Sequence, residues 1–162
     1  MRVEQLMTRD VQTCGPGDAL NAAARIMWER DCGCVPVVER GDGGARVVGM
    51  ITDRDICMAA YTQGRPLSEI EVARVMARNV RSCRFTDSLG TALKILEQNQ
   101  LRRLPVLDQN DHLIGMLSLA DAAREAAHER GRTAKEVTDG QIAEALEAVS
   151  APRSPREVAI AA

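Results

Sequence analysis

Two short stretches carry the residue types best suited to holding a ligand: Gly49-Met-Ile-Thr-Asp-Arg-Asp55 and Gly115-Met-Leu-Ser-Leu-Ala-Asp121. In each, an apolar run ends at a hydroxyl residue and a carboxylate follows three positions later. One reading is structural. A hydroxyl at a helix start accepts from the third residue's N–H, and an acid at that position answers back, forming a capping box. The other reading is chemical. A junction from strand to helix directs free N–H groups and partial positive charge outward, where a phosphate can be received. A carboxylate beside it can accept from two vicinal ribose hydroxyls. Arg54 and the adjacent Arg102-Arg103 could supply cations, or could be solvated surface of little energetic weight.

Other chemistry finds little support. The only histidines are His112 and His128, and no paired metal-ligand spacing, nucleophile elbow or phosphate-binding glycine loop is present. Gly41-Asp42-Gly43-Gly44 joins two strand-like runs, so it reads as a hairpin. With no acid–base constellation, an enzyme is not expected. Cys32-Gly33-Cys34 leaves a thiol-redox sensor as a minor alternative, but two thiols fall short of the four ligands a structural zinc takes. No metal site is expected. Cys14 and Cys83 read as small core residues. Five cysteines, an odd number without a paired framework, point to reduced thiols and the cytoplasm.

Composition sets the outer limits. The chain has 162 residues with 45% apolar and 2% aromatic content, and 21 basic against 23 acidic residues leave a net charge of -2. A general nucleic-acid binder would show a basic face, and Trp28, Tyr61 and Phe85 are too few for a base-stacking platform. Neither a signal peptide nor a run of about 20 apolar residues is present, so no nucleic acid and no membrane are expected as partners.

The elements that must position the two stretches are themselves doubled. Val3, Met7, Arg9, Val11 and Cys14 match Val72, Met76, Arg78, Val80 and Cys83 at a constant offset of 69. The register runs on through Pro36-Val37 over Pro105-Val106. Three extra residues in the glycine-rich ERGDGGAR stretch then bring VVGMITDRD over LIGMLSLAD at an offset of 66. Each copy reads as a helical turn, a brief strand, a helix capped by Asp18 or Asp87, two strands in a hairpin, and a second helix from Thr52 or Ser118. Leu20, Ala23, Ala24 and Met27, and equally Leu89, Ala92, Leu93 and Leu96, make one apolar stripe per first helix. The expected class is α/β (α+β), with two repeats related by a pseudo-two-fold axis, each a small sheet packed with two helices. Boundaries fall at 1–61, a linker at 62–71, 72–131, and a tail at 132–162. Gly131 is the expected cap ending the second repeat. In the tail Ile142, Ala143, Leu146 and Val149 form a further helical stripe behind Thr138.

This doubled pattern of Met-Thr-x-Asp-Val, helix, x-Pro-Val-Val and Gly-h-h-Thr/Ser-x-x-Asp (h apolar) over residues 1–127 resembles a pair of cystathionine-β-synthase (CBS) domains, a Bateman module. The resemblance implies a non-enzymatic regulatory sensor. It would bind AMP, ADP, ATP, S-adenosylmethionine or NAD in clefts between the repeats, with no required cofactor. It further implies a homodimer and a regulated protein acting in trans. Carried across, Asp55 and Asp121 take ribose hydroxyls while Thr52 and Ser118 lie near phosphates. Arg102, Arg103 and Leu104 complete the Thr52/Arg54/Asp55 site, with Val80 on the adenine. Gly33, Cys34 and Val35 complete the Ser118/Asp121 site, with Val11 on the adenine. The first site, holding Arg54, Arg102 and Arg103, is expected to bind nucleotide more tightly. The second, with Leu119 and Ala120 and no local arginine, is expected to be weaker or to prefer a less charged adenosine compound. The alternative is a structural dimer that binds nothing.

Overall fold

The computed structural model describes residues 1–129 and 137–152. Its helices are α1 (Leu20–Glu29), α2 (Asp53–Gln63), α3 (Leu89–Gln98), α4 (Leu119–His128) and α5 (Asp139–Ser150). The strands are β1 (Cys34–Gly41), β2 (Gly44–Thr52), β3 (Cys83–Arg84), β4 (Arg103–Leu107) and β5 (Leu113–Ser118). Five helices and two small sheets among the described residues make a mixed α+β fold. The expected cap at Gly131 lies outside the described residues.

The chain forms two compact units, and neither is a contiguous repeat. One, here the α1/α2 unit, holds residues 11–80 and 111–113; the other, the α3/α4 unit, holds residues 1–10, 81–110 and the described residues from Ile114 on. Each therefore combines one repeat's helices with the opening segment of the other. In the α3/α4 unit, Val3 and Met7 lie in the core with Leu89, Leu96, Leu104 and Leu117. In the α1/α2 unit, Val72 and Met76 lie with Leu20, Val37 and Ile51. These cores are aliphatic, as a chain with three aromatic residues requires.

The opening segments are fixed by backbone pairing. Met50 and Ala77 exchange N–H···O bonds of 2.9 and 2.8 Å in the α1/α2 unit, and Thr8 and Met116 exchange two of 2.9 Å in the α3/α4 unit. Gly49 and Gly115 make this approach possible. A Cβ on Gly49 would stand 2.5 Å from Met76 Sδ, and one on Gly115 would stand 2.7 Å from Met7 Sδ.

The hairpin is antiparallel, from Cys34 opposite Thr52 to Gly41 opposite Gly44, with a bulge at Val37/Val38. The second sheet has the order β3-β4-β5, with β3 parallel to β4. The brief strand expected at Cys14 is a single parallel bridge to Val37. Asp18 and Asp87 do not cap their helices. Their Oδ2 atoms accept from Gly15 N at 2.7 Å and Arg84 N at 2.8 Å. They thereby close the turns ahead, and the N-caps fall one residue later, at Ala19 and Ser88.

Helix α5 starts at its Thr138 cap and lies on α3 and α4. Gln100 Nε2 donates to Ala148 and Ala151 carbonyls at 3.4 and 3.1 Å. Its inward stripe is Ile142, Ala145 and Val149, whereas Ala143 and Leu146, expected in the stripe, are exposed. On the α1/α2 unit, two of the chain's three aromatics stay in solvent: Trp28 is 88% and Tyr61 82% exposed.

Candidate functional site

Both strand-to-helix corners form complete capping boxes. At the first, Asp55 Oδ2 accepts from Thr52 N (2.9 Å) and Thr52 Oγ1 (2.6 Å), and Asp55 N donates back to Thr52 Oγ1 (3.2 Å). At the second, Asp121 Oδ2 accepts from Ser118 N (2.8 Å) and Ser118 Oγ (2.7 Å), and Asp121 N donates back at 3.1 Å. Capping therefore uses one carboxylate oxygen of each acid and leaves Oδ1. The structural and the chemical reading can both hold, because they call on different oxygens.

The two Oδ1 atoms differ. Asp55 Oδ1 meets no donor among the described residues. Asp121 Oδ1 is bonded by the Arg124 guanidinium one turn along the same helix. Arg124 is 68% exposed and Asp121 only 10%, so the arginine reaches in from solvent to a sheltered carboxylate. The second corner, expected to lack a local arginine, thus has Arg124 on its own helix. The signal was an acid and a base at i and i+3.

The α1/α2 unit brings Gly33, Cys34 and Val35 beside Thr52. Gly33 O accepts from Asp53 N at 3.2 Å, and Cys34 and Val35 pair with Thr52 and Ile51. Arg54, Val80 and Val11 belong to this unit as well, and Val80 follows the stretch anchored by Ala77 on Met50. The α3/α4 unit brings Arg102, Arg103 and Leu104 beside Ser118, with Arg102 O accepting from Leu119 N at 2.9 Å. Arg102, Arg103 and Leu104 are thus in a different unit from Thr52, and Val11, Gly33, Cys34 and Val35 in a different unit from Ser118. The guanidinium groups of Arg54, Arg102 and Arg103 are exposed and meet no partner among the described residues.

A cavity of about 330 Å³ opens beside the second corner, lined by Leu6, Thr8, Asp121, Arg124, Glu125 and His128. Four of these lie on α4 at positions 121, 124, 125 and 128, the spacing of one helix face, and the opening segment supplies the other wall. Only Asp121 was singled out from sequence. Glu125 and His128 follow from helical spacing, but Leu6 and Thr8 come from the other repeat's opening, and no local pattern reveals them.

No group of three or more acidic, histidine or cysteine side chains among the described residues could hold a metal ion. None of the five cysteines is in a disulfide. Burial, with Asp18 nearby, pushes the Cys14 thiol up to about 11; burial, with Asp87 nearby, pushes Cys83 up to about 12. No described helix is long and apolar enough to cross a membrane.

Comparison with known proteins agrees with this architecture. The sequence model of the CBS domain matches residues 3–61 and 72–128. The CBS domain-containing protein YhcV of Bacillus subtilis is 38% identical over 121 residues, covering 75% of this chain and 82% of that protein. The crystal structure of Hypoxic Response Protein I with two coordinated zinc ions superposes with a TM-score of 0.68 at 29% identity, covering 76% of this chain and 98% of that one. CBSX2 in complex with AMP superposes with a TM-score of 0.68 at 24% identity, covering 80% and 98%.

Proposed function

The chain belongs to the CBS domain family, and we propose that it is a non-enzymatic regulatory module that binds adenosine-containing ligands at its two strand-to-helix corners. The observation that carries this reading is Asp55. Its Oδ2 completes the cap while its Oδ1, beside a helix N-terminus, has no donor among the described residues. Ribose hydroxyls can donate to that oxygen, and the positive end of α2 favours a phosphate close by. Arg54 is available to anionic groups at the Thr52 corner, and Arg102 and Arg103 at the Ser118 corner. The complex of the related fold CBSX2 with AMP supports this ligand class. Five cysteines without a disulfide suit a reducing compartment such as the cytoplasm.

Self-association is part of the proposal. The α1/α2 unit displays Trp28 on α1 and Tyr61 on α2, residue types that dominate binding hot spots. Its exposed flanks carry Arg25, Arg30 and Arg54 against Glu29, Asp31 and Asp53, a balance that lets this surface meet a second copy of itself without net repulsion. On the α3/α4 unit the corresponding helices are covered by α5. Ligand level would reach a separate regulated protein only if the ligand binds two conformations with different affinity.

A thermal-shift panel of adenosine, AMP, ADP, ATP, NAD and S-adenosylmethionine tests the binding. A ligand at 100 times its Kd adds about 2.7 kcal/mol, or roughly 6–10 °C for a chain of this size. No shift with any of them identifies a ligand-free structural dimer instead.

A further inference from the structure

We infer that Arg124 sets the selectivity of the Ser118/Asp121 corner, so that this corner takes adenosine compounds bearing an anionic group and discriminates against the uncharged nucleoside. The inference rests on the reading above and gives the two corners different ligand requirements.

Capping fixes Oδ2 of both acids in the same way, so only Oδ1 can answer a ribose. At Asp55 that oxygen meets no described donor, and the residue three positions on is Met58, which offers none. At Asp121 the same place, at the repeat offset of 66, is taken by Arg124, and its guanidinium already holds Oδ1. Arg124 therefore competes with a ribose hydroxyl for Asp121 Oδ1. The arginine end of the pair is 68% exposed, so it is screened by solvent and can swing to another anion. What the arginine meets next decides the outcome. An uncharged nucleoside gives it nothing in return, while a phosphate offers a charge-assisted, bidentate partner.

The cavity supports this assignment. Arg124 lines it together with Asp121, Glu125 and His128. The Glu125 carboxylate opposes any anion entering without a cation to meet it. Arg124, already at the carboxylate and reaching in from solvent, is placed to supply that charge. The expected preference of this corner for a less charged compound is thereby reversed.

The test is calorimetric titration of the full chain with adenosine and with AMP in an Asp55→Asn background, where the Ser118/Asp121 corner alone reports. AMP should bind about tenfold more tightly than adenosine. Arg124→Met, which installs the residue of the other repeat, should weaken AMP several-fold and tighten adenosine about threefold. Arg124→Lys, which keeps the charge without the planar fork, should fall between. Near-UV circular dichroism verifies that each variant is folded. If Arg124→Met moves both ligands in the same direction, or neither, the inference is wrong. If Asp55→Asn removes all binding, this corner takes no adenosine compound and the inference falls while the reading at Thr52/Asp55 stands. If the unsubstituted chain binds neither ligand, both fall together.

Discussion

Met76 Sδ occupies the space that a side chain on Gly49 would need, 2.5 Å from the position of its Cβ. Met7 stands in the same relation to Gly115 in the other unit. The glycine of the Gly-Met-Ile-Thr and Gly-Met-Leu-Ser stretches is thus a seat for the opening segment, three residues before the hydroxyl at the corner. Backbone pairs at Met50/Ala77 and Thr8/Met116 lock that seat beside it.

Replacing either glycine by alanine should overfill these contacts. Gly49→Ala and Gly115→Ala are each expected to cost about 1–3 kcal/mol, read as a lower urea midpoint. Pairing Gly49→Ala with Met76→Ala should recover part of the loss, since the obstructing sulfur is then gone. An additive double variant would show that the seat is not the source of the cost.

Asp55→Asn separates capping from binding. The asparagine carbonyl still accepts from Thr52 N and Oγ1, so the loss of stability should stay below about 1 kcal/mol. The shift produced by AMP should fall by half or more, because the ionised acceptor for the ribose is lost. Thr52→Ala should cost about 1 kcal/mol through its cap even without ligand. Thermal melts of both variants with and without AMP distinguish these effects.

Thiol reactivity should divide the cysteines. Cys57 is exposed and should react with an aromatic disulfide reagent at pH 8, while Cys14 and Cys83, buried and protonated, should react only on unfolding. The same two thiols give a pH dependence. Unfolded thiols titrate near 9.0, the folded ones near 11 and 12. Between those values the native state holds more protons, so stability falls as pH rises above 9.0 and this loss levels off beyond about 12. Cys14→Ala and Cys83→Ala should flatten the decline in denaturant titrations from pH 8 to 11.

Trp28→Ala with Tyr61→Ala should shift the chain from dimer to monomer in analytical ultracentrifugation, at little cost to the fold because both rings lie in solvent. Trp28 is the only tryptophan, so in Tyr61→Ala its emission should move to longer wavelength as the dimer dissociates on dilution. A monomeric unsubstituted chain would overturn the assignment of that face.

Helices were legible where apolar spacing was clean. Leu89, Ala92, Leu93 and Leu96 are all buried as their period requires. Asp18 and Asp87 misled because aspartate closes a turn as readily as it caps a helix, and Gly15 N and Arg84 N were the nearer donors. The α5 stripe is rotated towards Ala145, leaving Ala143 and Leu146 outside. The corners were legible as hydroxyl and acid three apart, but the use of Oδ1 was not, since it depends on which rotamer Arg124 adopts. The exchange of opening segments left no mark. Val3 and Met7 match Val72 and Met76 in type, so composition cannot say whose helices each will pack against.

That exchange has a consequence for biosynthesis. As the chain leaves the ribosome, Leu20 to Gln63 emerge before Val72 and Met76, so the first hairpin and its helices wait with an open flank until those residues arrive. Val3 and Met7 wait longer still, for partners running to Val149. Residues 1–10 are thus made well before their partners and are among the last to be housed, a separation in sequence that should slow maturation and expose Met7 to capture by holding chaperones in the interval.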